Sequence, residues 1–226
     1  MPKCFDPRFE ILPPAQREIW SSLSPAADLG FVLYGGTAIA LQLGHRQSVD
    51  FDFFCFDPLD KGELRTALPF VADAEIEQDE PDTLVVVARM PSGPVRLSFF
   101  GGIGFGRVDE PLQSRDGVVL VAALNDVMAT KLKATLDRAE AKDYVDLAAM
   151  LASGVLLSRA LSTFRAMFRG EPATALVSIG YFEDGDLPSL PTRERTILLN
   201  ARDAVRDLPT ITLSPGSLAV ERGPCS

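Results

Sequence analysis

Asp50 and Asp52 flank Phe51 in the run Val49-Asp50-Phe51-Asp52-Phe53-Phe54, and this alternating acid pair is where the chain first suggests chemistry. Successive side chains of an extended strand point to opposite faces, so both carboxylates share one face while Val49, Phe51 and Phe53 share the other. Neighbouring carboxylates repel unless a cation lies between them, and hard oxygen ligands of this kind suit Mg²⁺ carrying phosphates. Asp50 and Asp52 are the expected metal ligands. A solvated strand edge, or a bridge from Asp52 to Arg46, is the plainer alternative, but exposing this strand would waste its apolar neighbours.

Twelve residues separate Gly35-Gly36-Thr37 from Asp50. Phe31 to Tyr34 reads as a buried strand, Gly35-Gly36 as a tight turn, and Thr37 to Leu43 as a two-turn helix that Gly44 terminates. Glycines at a strand-to-helix turn let backbone N–H groups approach a phosphate, and the helix start adds a favourable dipole. Thr37 is the expected N-cap. His45, the one histidine, orients the loop after this helix, and Arg46 can tether that loop to an aspartate.

A second constellation is basic. On one continuous helix Lys131, Thr135, Arg138 and Lys142, at offsets of 0, 4, 7 and 11, would share a cationic face. The plainer reading is a solvated surface paired with Asp137, Glu140 and Asp143, with Asp146 as a cap or a bridge.

The elements around these residues run strands first, helices later. Pro13 to Leu29 suggests an opening helix and Leu64 to Leu68 a short one. Ala74 to Glu77, Leu84 to Arg89, Val95 to Phe100 and Val118 to Val121 suggest strands, with Pro91-Ser92-Gly93-Pro94 as a turn. Helical periodicity begins at Asn125 and again near Lys142, ending at Gly154; amphipathic segments follow to about Phe168 and over 193–205. Gly101 to Gly106 follows a strand, yet Arg107 to Pro111 cannot begin a helix, so a dinucleotide fingerprint is excluded and a flexible loop expected. There is no GxxxxGK[ST] and no GxSxG.

With 226 residues, 46% of them hydrophobic, the chain can bury a substantial core. A net charge of −9 makes it a poor generic nucleic-acid binder, so any RNA contact must be local. Cys4, Cys55 and Cys225 lie far apart without a CxxC, which indicates neither a zinc site nor a disulfide framework and suggests a reducing compartment. No apolar stretch approaches the ~20 residues of a membrane helix and no signal-peptide segment opens the chain, so no membrane partner and a cytoplasmic location are expected.

In order, Gly35-Gly36-Thr37 and Asp50-Phe51-Asp52 resemble the signature of the nucleotidyltransferase superfamily that includes DNA polymerase beta. Leu43-Gly44-His45-Arg46, Ser48, Asp50, Asp52, Phe53 and Phe54, then Lys131-Leu132-Lys133-Ala134, Arg138 and Lys142-Asp143-Tyr144-Val145-Asp146-Leu147, resemble the AbiEii/AbiGii toxin-type nucleotidyltransferases across residues 31 to 151. The expected fold is α+β: a nucleotidyltransferase-type mixed β-sheet flanked by helices over 1–123, a helical part over 124–213 and a loose tail over 214–226. The resemblance implies that Asp50 and Asp52 hold Mg²⁺ on an NTP and that Gly35, Gly36, Thr37, Arg46, Ser48, Arg138 and Asp143 contact the nucleotide. It implies that Lys131 and Lys142 neutralise charge developing on pyrophosphate. A tRNA 3′ end as acceptor and an antitoxin protein as partner follow from the same resemblance.

One departure is visible. The superfamily usually supplies a third carboxylate from a neighbouring strand, which here is Val95 to Phe99, carrying Arg96 and Ser98 but no acid; Glu75 and Glu77 lie on another strand that could substitute. Two other readings therefore stay open: a nucleotide-binding module without turnover, and an NTP-dependent modifier of a protein side chain, which suits an acidic chain better than RNA does.

Overall fold

Runs of aromatic and β-branched residues with two-residue alternation build a mixed sheet in the computed structural model, which describes residues 2–225. The chain divides into two compact units: residues up to Ala123 together with those from Ser214 onward, and Leu124–Leu213. Among the described residues no helix is long and apolar enough to cross a membrane.

The first unit contains strands β1 (Cys4–Phe5), β2 (Val32–Tyr34), β3 (Asp50–Phe54), β4 (Glu75–Glu80), β5 (Thr83–Met90), β6 (Gly93–Phe100), β7 (Leu112–Ser114) and β8 (Leu120–Val121). They lie in the order β1-β7-β8-β2-β3-β6-β5-β4. Central β3 runs antiparallel to β2 and parallel to β6, so residues distant in sequence flank its acid pair on both sides. The opposite face is the core: Phe51, Phe53, Leu97 and Phe99 are almost fully buried, and the Phe53 and Phe99 rings stack at 5.4 Å with Phe31 edge-on to Phe99. Rings packed in this way fix the strand register, because a one-residue slip would turn Phe51 and Phe53 outward and both aspartates into the core.

The helices of this unit are α1 (Pro14–Ile19), α2 (Ser24–Asp28), α3 (Gly35–Leu43), α4 (Lys61–Ala67) and α5 (Pro69–Ala72). The expected opening helix over 13–29 is instead α1, a 3₁₀ turn over Trp20–Leu23, and α2. Pro25, which lacks an N–H, sits in the first turn of α2, where that donor is not needed. Gly44 does end α3, in the left-handed conformation with its N–H on the Ala40 carbonyl at 2.7 Å. The glycine-rich segment after β6 is a loop, as expected; a Cβ on Gly101 would lie 2.4 Å from the Leu59 backbone nitrogen.

Two expectations need correction. Cys4 and Cys225 form a disulfide across a sequence separation of 221, with Cα atoms 5.8 Å apart. Spacing could not reveal it, because the sheet topology alone brings the ends together: β1 pairs with β7, and Gln113 of β7 binds the tail through Gly223 at 2.9 and 3.0 Å. The tail, expected to be loose, is held as well by Arg222 on the Gly117 carbonyl at 2.7 Å and by a bridge between Arg107 and Ser214. The remaining cysteine, Cys55, is buried, and that burial pushes its thiol pKa up, so it is no nucleophile.

The second unit comprises α6 (Leu124–Asp137), α7 (Ala141–Ala152), α8 (Leu157–Phe168), α9 (Pro172–Ser178) and α10 (Thr192–Ala204). α6 packs on α7, α8 and α9, and α7 also packs on α10. The continuous basic helix considered above does not form. α6 stops at Asp137, and the Asp186 carboxylate receives the Ala141 N–H at 2.6 Å at the start of α7. A cap from so far along the chain leaves no local signal.

Closing a loop of this length is worth at most about 5 kcal/mol in the chain-entropy view. Urea denaturation of the oxidised protein should therefore show a clear loss of stability in Cys225→Ser, with reductant lowering the parent to the variant's level. Equal midpoints for oxidised parent and variant would contradict a clasp that holds the tail.

Candidate active site

The first half of the site is set by close approach. Gly35 opens α3 with φ +72°, and a Cβ built on it would lie 2.4 Å from Oδ2 of Asp52. A Cβ on Gly36 would meet Nη2 of Arg46 at 2.5 Å and Oγ of Ser48 at 3.1 Å. Gly35 is thus required by its backbone as well as by space, whereas a side chain on Gly36 would displace the Arg46 guanidinium. The diglycine bend is a cradle over which an aspartate and an arginine pack directly.

Thr37 is not the N-cap, a position that Tyr34 fills without a side-chain bond. Thr37 lies within the first turn, buried, with its hydroxyl 2.8 Å from Ser48 Oγ and donating to the Asp50 carbonyl. It therefore pins the strand carrying the acids to the helix carrying the glycines. Arg46 donates from Nη1 to the Gln47 carbonyl at 2.8 Å. Asp50 and Asp52 are half-buried on the sheet face away from Phe51 and Phe53. The structure thus brings Gly35, Gly36, Thr37, Arg46, Ser48 and Asp52 together, with Asp50 on the same strand face.

The register shows what stands beside the acids. Asp52 pairs with Tyr34 on one side and Ser98 on the other, and Asp50 pairs with Arg96. The position that would supply a third carboxylate is occupied by Ser98, which is buried. The acids of β4 do not replace it. β4 stands three strands from β3, about 14 Å at the usual strand spacing, and Glu75 and Glu77 engage Arg89 and Arg96 at 2.9 and 2.7 Å. Among the described residues no three His, Cys, Asp or Glu side chains are grouped to hold a metal. Two carboxylates still suit a magnesium ion, which keeps several waters and takes remaining ligands from substrate phosphates.

The basic constellation lies in the second unit, where it forms a network of its own. Lys131 Nζ donates to Asp143 Oδ1 at 2.7 Å and to Asp146 Oδ2 at 2.8 Å, and both carboxylates are fully buried while Lys131 is 7% exposed. Arg138 reaches Asp143 Oδ2 at 2.8 Å through Nε. Lys142 is exposed and bridges to Glu140 at 2.7 Å. Lys131, Arg138 and Asp143 are therefore brought together, whereas Lys142 reaches the network only through Glu140, whose Oε2 also lies 3.6 Å from Arg138 Nε. Asp146, read above only as a cap or a bridge, is a full member of the network; its place three residues after Asp143, on the same helix face, was the available signal. Burial alone would raise the Asp143 carboxyl pKa, but the Arg138 hydrogen bond and the Lys131 charge outweigh burial and hold it below 3.8.

The eight-stranded mixed sheet with its flanking helices is similar in fold to a solved nucleotidyltransferase toxin. MenT4, a nucleotidyltransferase toxin from Mycobacterium tuberculosis H37Rv, has this fold at a TM-score of 0.54, with 85% of this chain and 84% of that one covered at 13% identity. The family profile described as "Nucleotidyl transferase AbiEii toxin, Type IV TA system" matches residues 22–210. The chain belongs to the AbiEii nucleotidyltransferase toxin family. It is also 28% identical over 177 residues, 75% of this chain and 84% of the other, to an uncharacterized protein of Aquifex aeolicus (strain VF5).

With its folded pKa depressed, Asp143 contributes stability that is present above the ordinary 3.8 and is lost as pH falls through the lower folded value. Asp143→Asn, which leaves Lys131 and Arg138 short of a charged partner, should cost about 3 kcal/mol at neutral pH. It should also flatten the acid-side decline of stability in denaturation curves taken from pH 7 to pH 2. A variant as stable as the parent at neutral pH, with an unchanged acid limb, would contradict the network's structural weight.

Proposed function

We propose that this chain transfers a nucleotide from a Mg²⁺-bound NTP to an acceptor hydroxyl and acts as the toxin of a toxin–antitoxin pair. The reading rests on one observation: Asp52 lies against Gly35, whose positive φ and close contact disfavour any side chain, on the same strand face as Asp50. Asp50 and Asp52 would hold the cation, whose bound charge offsets that of the triphosphate and polarises its phosphoryl oxygens. Backbone N–H groups at the start of α3 face the phosphates, with Gly35, Gly36, Thr37, Arg46 and Ser48 shaping the pocket. In the transfer a bond forms between the acceptor oxygen and the α-phosphorus as the bridging oxygen departs with pyrophosphate.

Lys131 and Lys142 keep their assignment as charge-neutralising residues, and Arg138 and Asp143 as nucleotide contacts, on family resemblance alone. The same resemblance supports a tRNA 3′ end as acceptor and an antitoxin protein as partner. We place the chain in the cytoplasm, where NTP and tRNA are found; the Cys4–Cys225 pair would meet a reducing poise there. A second reading, nucleotide binding without turnover, is favoured by Ser98 standing where a third carboxylate would.

Incubating the protein with each labelled NTP, Mg²⁺ and either total tRNA or cell lysate separates these readings. Label should enter the RNA fraction and fall by at least about 10²-fold in the double variant Asp50→Ala, Asp52→Ala. Label in protein would move the acceptor to a side chain. Bound but untransferred nucleotide would leave a binding module, and equal labelling by parent and variant would remove the acid pair from the mechanism.

A further inference from the structure

A fixed cation already stands on the open sheet face beside the aspartates. Arg96 is the cross-strand neighbour of Asp50 in parallel register, so the two side chains leave the sheet on the same side. Its guanidinium is anchored twice: Nε donates to Glu77 Oε2 at 2.7 Å, and Nη1 to Ser98 Oγ at 3.3 Å. Glu77 can reach it because the β4–β5 register shifts between Ile76 and Gln78, a bulge that re-aims the Glu77 side chain. The second anchor turns the group toward Ser98, the residue registered with Asp52.

Two of the five guanidinium N–H donors are used in these bonds, and the side chain is 42% exposed. Three donors remain beyond these two bonds on a partly exposed guanidinium, a planar group whose forked geometry matches phosphate oxygens. Charge supports the same conclusion. Two carboxylates and one divalent ion balance in charge, and Arg46 beside Gly36 adds a single positive charge, which leaves most of a bound triphosphate's negative charge to be met by further cations on this face. A superfamily site with a third acid can call on a second metal for this task; Ser98 is neutral and cannot.

We infer that Arg96 is a phosphate-binding residue of this site, oriented by Glu77 and Ser98, supplying the positive charge that a third carboxylate would otherwise recruit as a second metal ion. The inference rests on the nucleotidyltransferase reading of Asp50 and Asp52. The companion pair Arg89–Glu75 provides an internal comparison, since it is also a cross-strand ion pair but joins β5 and β4, strands that do not pair with β3, with Arg89 registered with Pro94 and 83% exposed.

The test is titration of the full chain with a non-hydrolysable Mg²⁺–NTP analogue, alongside the transfer assay. Arg96→Ala should weaken analogue binding about tenfold and reduce transfer by about 10²-fold, while a nucleoside monophosphate, lacking the β- and γ-phosphates, shows a smaller difference. Arg96→Lys, which keeps the charge but not the fork, should fall between parent and alanine variant, and Arg89→Ala should bind as the parent does. Parent-like binding and transfer by Arg96→Ala would overturn the inference and leave a surface ion pair. If the parent binds the analogue but transfers nothing, the transferase reading fails while the binding arm still judges Arg96. A parent that binds no nucleotide would overturn both.

Discussion

The close approach of Asp52 to the Gly35 bend is the constraint on which the rest of the first unit depends. An oxygen 2.4 Å from where a Cβ would stand leaves room only for glycine, and the positive φ there turns the chain from β2 into α3 without a side chain to collide. Thr37 ties helix to strand through the Asp50 carbonyl, and the stacked core rings on the opposite face forbid the one-residue slip that would bury the carboxylates. The acid pair and the core packing are thus two faces of one strand.

The second unit solves a different electrostatic problem. Three ionised groups, Lys131, Asp143 and Asp146, are nearly or wholly buried, and their mutual hydrogen bonds offset a desolvation cost that none could meet alone. Arg138 closes the network from its more exposed side. Such a network is a weak source of net stability but a strong source of positional specificity, because a carboxylate removed from it leaves a buried cation with too few partners.

Local patterns made much of this molecule readable. The alternation around Asp50 and Asp52, the paired glycines and the helix stop at Gly44 all act over a few residues, and strand, bend and helix occur where those signals stand. What could not be read was set by distant contacts. The Cys4–Cys225 bond depends on β1 reaching β7, and although the restart of helical periodicity near Lys142 was legible, the Asp186 carboxylate that receives the Ala141 N–H at the start of α7 was not. Glu77 meeting Arg96 follows from a bulge that no composition signals, and Ser98 facing Asp52 became certain only from the parallel register of β3 and β6.

The central claim is that Asp50 and Asp52 together clamp one divalent ion against the phosphates presented at the glycine bend. Manganese binding followed by electron paramagnetic resonance, with a non-hydrolysable NTP analogue present, tests it most directly. One tightly bound ion per parent chain, absent from the Asp50→Asn, Asp52→Asn variant, is the predicted result. Undiminished manganese binding by that variant, or no tight site in the parent, would contradict the account.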